Sequence, residues 1–225
     1  MAVAIVALGV RNGTIHLGQE DLIRFGVLIP SIILHEVSHG WFALLFGDDT
    51  AKRAGRLTLN PIAHVDPFGT VILPAILIFT TGSAFGWARP VPVAPSRMRS
   101  PRNHSLITSL AGPAVNIVIA LISAALIRFV LLDLFTRFGD PPLYARVIFE
   151  IGYINVILAA FNLIPVPPLD GSAVIERLLP ASAWPTYLKL RQYSMLLLFV
   201  LIFWVDGALD RVFNPAIELW FRLLT

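Results

Sequence analysis

The chain has 225 residues, 56% hydrophobic and 14% charged, with a mean hydropathy of +0.77. That balance is too apolar for a soluble domain of this length and points to a membrane setting. A formal charge of +3, without a basic run interleaved with aromatics, argues against a nucleic-acid surface, and the lack of cysteine excludes disulfides and thiolate metal sites. Any zinc must therefore sit on His, Asp or Glu.

Residues 1–10 are uncharged but too short to span a bilayer. They lack the basic region and small-residue cleavage site of a secretory signal, so a short strand turning at Arg11–Asn12–Gly13 is expected instead. Leu22–Phe46 follows, 25 residues charged only at Arg24 and Glu36, with the length and apolarity of a spanning helix. At its centre His35, Glu36 and His39 form H-E-x-x-H. Helical positions i and i+4 share a face, so both imidazoles can reach one metal ion, and Glu36 lies beside that face as a proton acceptor for the attacking water. The bland alternative is a pair of buried histidines hydrogen-bonded to neighbouring helices. It has to excuse three polar residues in metal-ligand register at membrane depth, where such groups are costly.

Gly47–Pro67 is rich in charges and turn formers. Within it Arg56–Asn60 reads as a short strand, and His64 either packs the loop or plays an accessory role near the metal. Phe68–Ala88 is uncharged but broken by Pro74, Gly82 and Gly86, so it either spans or dips in and returns. Arg89–Asn103 is an exposed basic, proline-rich loop. Leu106–Leu132 is the clearest spanning helix, charged only at Arg128, and its small residues around Gly112 allow another helix to approach closely. Val147–Ile164 spans next, with Glu150, Asn155 and Asn162 inside it. Gln192–Leu209 is a last apolar run, and Asn214–Thr225 reads as an amphipathic segment on the membrane surface. The fold class is an all-α polytopic membrane protein, one domain over 1–225. It is a bundle of about 4–6 transmembrane helices with a re-entrant or short β element near the active site.

After Asn162 come Pro165, Pro167, Pro168, Leu169, Asp170 and Gly171. These prolines end the helix, and such irregular backbone is tolerated at membrane depth only where protein or a water-filled cavity satisfies it. Asp170 then offers a carboxylate to complete a His-His-Asp site with one position open for water.

Taken together, the chain resembles the site-2 protease family of intramembrane zinc metalloproteases. The likeness rests on His35–His39, on Gly112-Pro113 with Asn116, and on Asn162, Pro165, Pro167 and Leu169-Asp170-Gly171. Arg56–Pro67 and Ala88–Val93 resemble the compact bacterial branch, which lacks PDZ and CBS modules. The resemblance implies Zn2+ bound by His35, His39 and Asp170, with Glu36 as general base. It also implies that Asn162 contacts the substrate and stabilises the oxyanion. The implied partner is a transmembrane segment of a membrane-anchored protein within the lipid bilayer, not nucleic acid. Homo-oligomerisation, substrate identity and trigger stay open.

Geometry constrains the topology independently. For Asp170 to reach the ion held by His35 and His39, Leu22–Phe46 and Val147–Ile164 must run in the same direction. Leu106–Leu132 supplies the return crossing, so Phe68–Ala88 must enter and leave on one side. The loops on the catalytic side then carry ten Lys/Arg and the opposite side six, which places the active site toward the cytoplasm of a bacterial cell membrane. Arg128 and Glu150 are expected to pair near the outer surface. The competing function classes are a catalytically silent metal-binding protein and a metal transporter. Transport predicts a ligand path and repeated halves, and neither is visible.

Overall fold

In a computed structural model the described residues are 3–7, 10–11, 14–15, 18–74, 76, 83–137 and 141–225. Three helices carry the architecture, each long and apolar enough to cross a membrane. Helix α1 (Gln19–Leu45) opens with Asp21 accepting from the Gly18 amide at 2.9 Å, and it ends at Gly47, whose φ of 104° suits glycine. A short α2 (Thr50–Arg53) follows. Helix α3 (Pro101–Leu126) runs on through a π-helical turn, Ile127–Leu131, into Leu132–Arg137. Helix α4 (Leu143–Asn162) lies against both α1 and α3.

Cross-helix bonds fix the directions. Arg24 meets Glu150 at 3.3 Å, Ser31 meets Asn155 at 2.9 Å and His35 meets Asp170 at 3.0 Å, so α1 and α4 run parallel. His39 pairs with Thr108 and His35 with Asn116, so α3 is antiparallel to α1. The Arg99 amide donates to the Phe46 carbonyl at 3.0 Å, and His104 stacks on Phe46 at 4.1 Å between ring centroids. The chain between them therefore leaves and returns on one side, as the geometry of the site requires.

That excursion holds the β structure. Strand β1 (Val3–Ala7) pairs antiparallel with β4 (Ser83–Trp87), Val3 opposite Trp87 and Ala7 opposite Ser83. Strands β2 (Val10–Arg11) and β3 (Thr14–Ile15) pair antiparallel, and Asn12 and Gly13 of the expected turn lie outside the described residues. Within Phe68–Ala88, a π-helical turn (Pro67–Ile72) leads toward β4, and most of residues 75–82 lie outside the described set. Gly86 and Trp87 line the same groove as Phe25, Leu28 and Ile32 of α1, which sets the end of β4 along the helix.

Three expectations are corrected. Residues 56–60 are not a strand. The Thr58 carbonyl accepts from His64, Thr58 Oγ1 accepts from the Asn60 amide, and Asn60 Oδ1 caps the turn Pro61–His64, so groups a ladder would use are engaged locally. Arg128 and Glu150 do not pair either. Glu150 is taken by Arg24, and Arg128 donates to the Leu223 carbonyl at 3.4 Å.

The tail is not a surface segment. After α5 (Ser172–Leu178), α6 (Trp184–Arg191) and α7 (Ser194–Phe203), helix α8 (Ala208–Leu224) packs lengthwise on α4. Phe213 lies against Phe161, and Trp220 against Phe149 at 5.3 Å between ring centroids. Its apolar face is used up by the bundle: Trp220 is buried and its Nε1 donates to the Ala120 carbonyl. Helix α7 has 10 residues, about 15 Å, too short to span alone.

Candidate active site

His35 and His39 sit one turn apart in the buried face of α1, 0% and 6% exposed, with Glu36 at 1%. Close packing explains the burial. A Cβ on Gly112 would lie 2.6 Å from ring atoms of both histidines, so only glycine lets α3 come this near. Asp170 arrives from beyond α4. Its loop contains the cis peptide Pro167–Pro168, and the Gly171 amide donates to the Asn162 carbonyl at 2.7 Å. A Cβ on Gly171 would stand 2.2 Å from the Leu163 carbonyl oxygen, so glycine is required for this turn to close on the helix end.

The donor atoms converge. His35 Nε2 is 3.0 Å and His39 Nε2 3.4 Å from Asp170 Oδ2, and one ligand atom from each residue lies within 4.8 Å of the others. Ligands about 2.1 Å from a tetrahedral zinc stand about 3.4 Å apart. The other ring nitrogens are engaged. His39 Nδ1 faces the Thr108 carbonyl at 2.7 Å and His35 Nδ1 faces Asn116 Oδ1 at 2.6 Å. A carbonyl oxygen only accepts, so Nδ1 of His39 carries a proton, and in the neutral imidazole that binds a metal Nε2 turns a lone pair inward. His39 Nε2 has no hydrogen-bond partner. Two imidazole lone pairs facing a carboxylate oxygen repel unless a cation lies among them, and the residues present therefore fit zinc.

Behind the histidines runs a polar ladder. Asn116 Nδ2 donates to Asn155 Oδ1 at 2.6 Å, Asn155 Nδ2 donates to Ser31 Oγ at 2.9 Å and to the Ile151 carbonyl, and Ser31 donates to the Val27 carbonyl. Each member sets the orientation of the next, ending with Asn116 Oδ1 toward His35. Asn155, Ser31 and Thr108 were not singled out as site residues from the sequence. Their only signal is polarity inside apolar helices.

Asn162 is 0% exposed. Its Nδ2 donates to the Leu158 carbonyl of its own helix, and Oδ1 has no partner. His64 is buried but outside the cluster of metal-ligand candidates. It bonds Thr58 and lines the groove beside α1. Glu36 Oε2 accepts from the Val91 amide at 2.9 Å. Further along, Asp48 receives the Ala94 amide and the Thr50 amide and hydroxyl. Burial alone would raise its carboxyl pKa, and these hydrogen bonds hold it below the ordinary value.

Paired imidazoles and a carboxylate inside apolar helices, next to a buried glutamate, have the make-up of a membrane-embedded metallopeptidase, and comparison with known proteins leads to the same class. Residues 143–205, from α4 through Asp170 to the end of α7, match the model of peptidase family M50. The chain is 42% identical over 183 residues to a Bacillus subtilis (strain 168) protein named "Putative zinc metalloprotease YwhC", covering 77% of each. Over 222 residues it is 30% identical to "Putative zinc metalloprotease Rip2" of Mycolicibacterium smegmatis, covering 98% of this chain and 80% of that one. No solved structure matches it. The chain belongs to peptidase family M50, the site-2 protease family, and is a membrane zinc metallopeptidase.

Proposed function

We propose that this chain, as one membrane domain, hydrolyses peptide bonds within or near transmembrane segments of membrane-anchored proteins, as a step of regulated intramembrane proteolysis. The observation that carries the reading is the meeting of His35, His39 and Asp170 in the apolar interior, on the helix that also bears Glu36. His35, His39 and Asp170 would hold the zinc, with the two imidazoles oriented by Asn116 and Thr108. When bound, zinc polarises the scissile carbonyl and makes water nucleophilic near neutral pH.

Glu36 takes the proton of the attacking water and passes it to the leaving amine. The Asn162 amide, which has a second N–H besides the one on Leu158, stabilises the developing oxyanion. A substrate helix hides its carbonyls in internal hydrogen bonds, so the segment reaches the site unwound. Among the described residues β4 pairs only with β1, and its other edge suits strand addition by an extended chain. The apolar groove beside it, about 280 Å³ between α1 and residues 61–74 and 86–88, suits the substrate's side chains.

Purified wild type should hold one zinc per chain by elemental analysis. His35→Ala, His39→Ala and Asp170→Ala should lose it, while Glu36→Gln keeps it and no longer cleaves a membrane-anchored reporter. Undiminished zinc in Asp170→Ala would remove Asp170 from the site. Cleavage by Glu36→Gln at the wild-type rate would end the catalytic reading.

A further inference from the structure

The segment Arg89–Val93 lies across the catalytic helix as a strap. Val91 is 6% exposed, its amide sits on Glu36 Oε2 at 2.9 Å, and its side chain rests on Gly40, where a Cβ would come within 2.9 Å of Val91 Cγ1. Pro90 and Pro92 flank it. They fix φ on either side and have no N–H, so the one amide between them is that of Val91. The backbone just before Val91 is held by Arg56, itself 9% exposed. Arg56 Nη2 donates to the Arg89 carbonyl at 2.8 Å and to the Pro90 carbonyl at 3.3 Å, and Nη1 donates to the Ala63 carbonyl. Two further ties, the Arg89 amide on the His64 carbonyl and the Ala94 amide on Asp48, hold the strap on both sides of Val91. A planar guanidinium can bind several carbonyls at once from a fixed fork, which an ammonium cannot do from one point.

We infer that Arg56 is a positioning residue for the general base: by fixing the Arg89 and Pro90 carbonyls it delivers the Val91 N–H to the Glu36 carboxylate and so sets that carboxylate's orientation. The inference rests on reading Glu36 as the base, but the clamp itself can be tested without turnover.

The full zinc-loaded chain in lipid nanodiscs serves for both arms. In a fragment covering Arg89–Ala94 the exchangeable amides are those of Arg89, Val91, Val93 and Ala94, so hydrogen exchange there reports on the strap with little background. Arg56→Gln should speed exchange of the Val91 amide about tenfold or more while amides of α1 stay protected. In the second arm the probe is a fluorescence-quenched peptide with one apolar span interrupted by two glycines. Arg56→Gln should lower kcat about 10–100-fold with KM and zinc content near wild type. Arg56→Lys should recover part of kcat, and Val91→Pro, which deletes the N–H, should match Arg56→Gln. Arg53→Ala, which breaks a surface pair with Asp49, should behave as wild type in both arms.

Unchanged Val91 exchange in Arg56→Gln would overturn the clamp. A raised KM with normal kcat would overturn it in favour of a strap that holds substrate, and lost zinc would reduce Arg56 to a structural residue. A wild type that leaves the peptide intact would count against the proteolytic reading, with the exchange arm still deciding the clamp.

Discussion

Asn162 is wholly buried at the last turn of α4, yet its side chain bonds only its own helix and leaves Oδ1 without a partner. A buried polar atom left unpaired costs about 1–3 kcal/mol, whereas a polar bond inside a membrane bundle contributes about 0.6 kcal/mol on average. Stability alone therefore gives no reason for an asparagine here. Asn162→Ala should keep or slightly raise the thermal midpoint, keep its zinc, and lower cleavage by about 100–1,000-fold, the range for losing one oxyanion donor. Near-normal turnover would return Asn162 to a packing role. The sequence pointed to Asn162 through its motif. It could not show that the residue has no interhelical bond, because that depends on which atoms α1 and α3 bring near it.

At the scale of elements, the spacing of H-E-x-x-H already fixed that His35 and His39 share a face, since the helical period requires it. What lies behind them was not legible. Asn116 and Asn155 are 39 residues apart in sequence and meet only because α3 and α4 pack closely, so no local pattern announces their bond. The same limit explains Arg128 and Glu150: helix neighbours were read correctly, but Arg24 of α1, distant in the chain, took the glutamate. The ladder is itself testable. Asn155→Leu leaves Asn116 Nδ2 without its acceptor, so the Asn116 amide is no longer held with Oδ1 toward His35. Zinc affinity should fall about 10–100-fold, as for other groups that orient a ligand, with helical content unchanged by circular dichroism. Wild-type affinity in Asn155→Leu would make the ladder a packing device only.

For the whole molecule, the packing of α8 changes the expected topology. Its start packs with Ile164 and Leu169 at the catalytic end of α4, and its last turn reaches Arg128 at the far end of α3, so α8 crosses the bundle as α1, α3 and α4 do. Its charges, Asp210, Arg211, Glu218 and Arg222, hid this crossing in the sequence, where the segment read as a surface helix. The assignment moves Arg211 to the catalytic side, which then has eleven Lys/Arg against five opposite, Arg128 aside. By the positive-inside tendency this count predicts a cytoplasmic catalytic face, and with it an outer position for Thr225. Because the chain has no cysteine, single replacements report without background. Lys52 and Thr225 are both exposed, one beyond the catalytic end of α1 and one at the end of α8. In intact cells a membrane-impermeant maleimide should label Thr225→Cys and spare Lys52→Cys until the membrane is permeabilised. The reverse pattern would invert the orientation. Labelling of both positions, or of neither, in intact cells would place them on one side and exclude α8 as a fourth crossing.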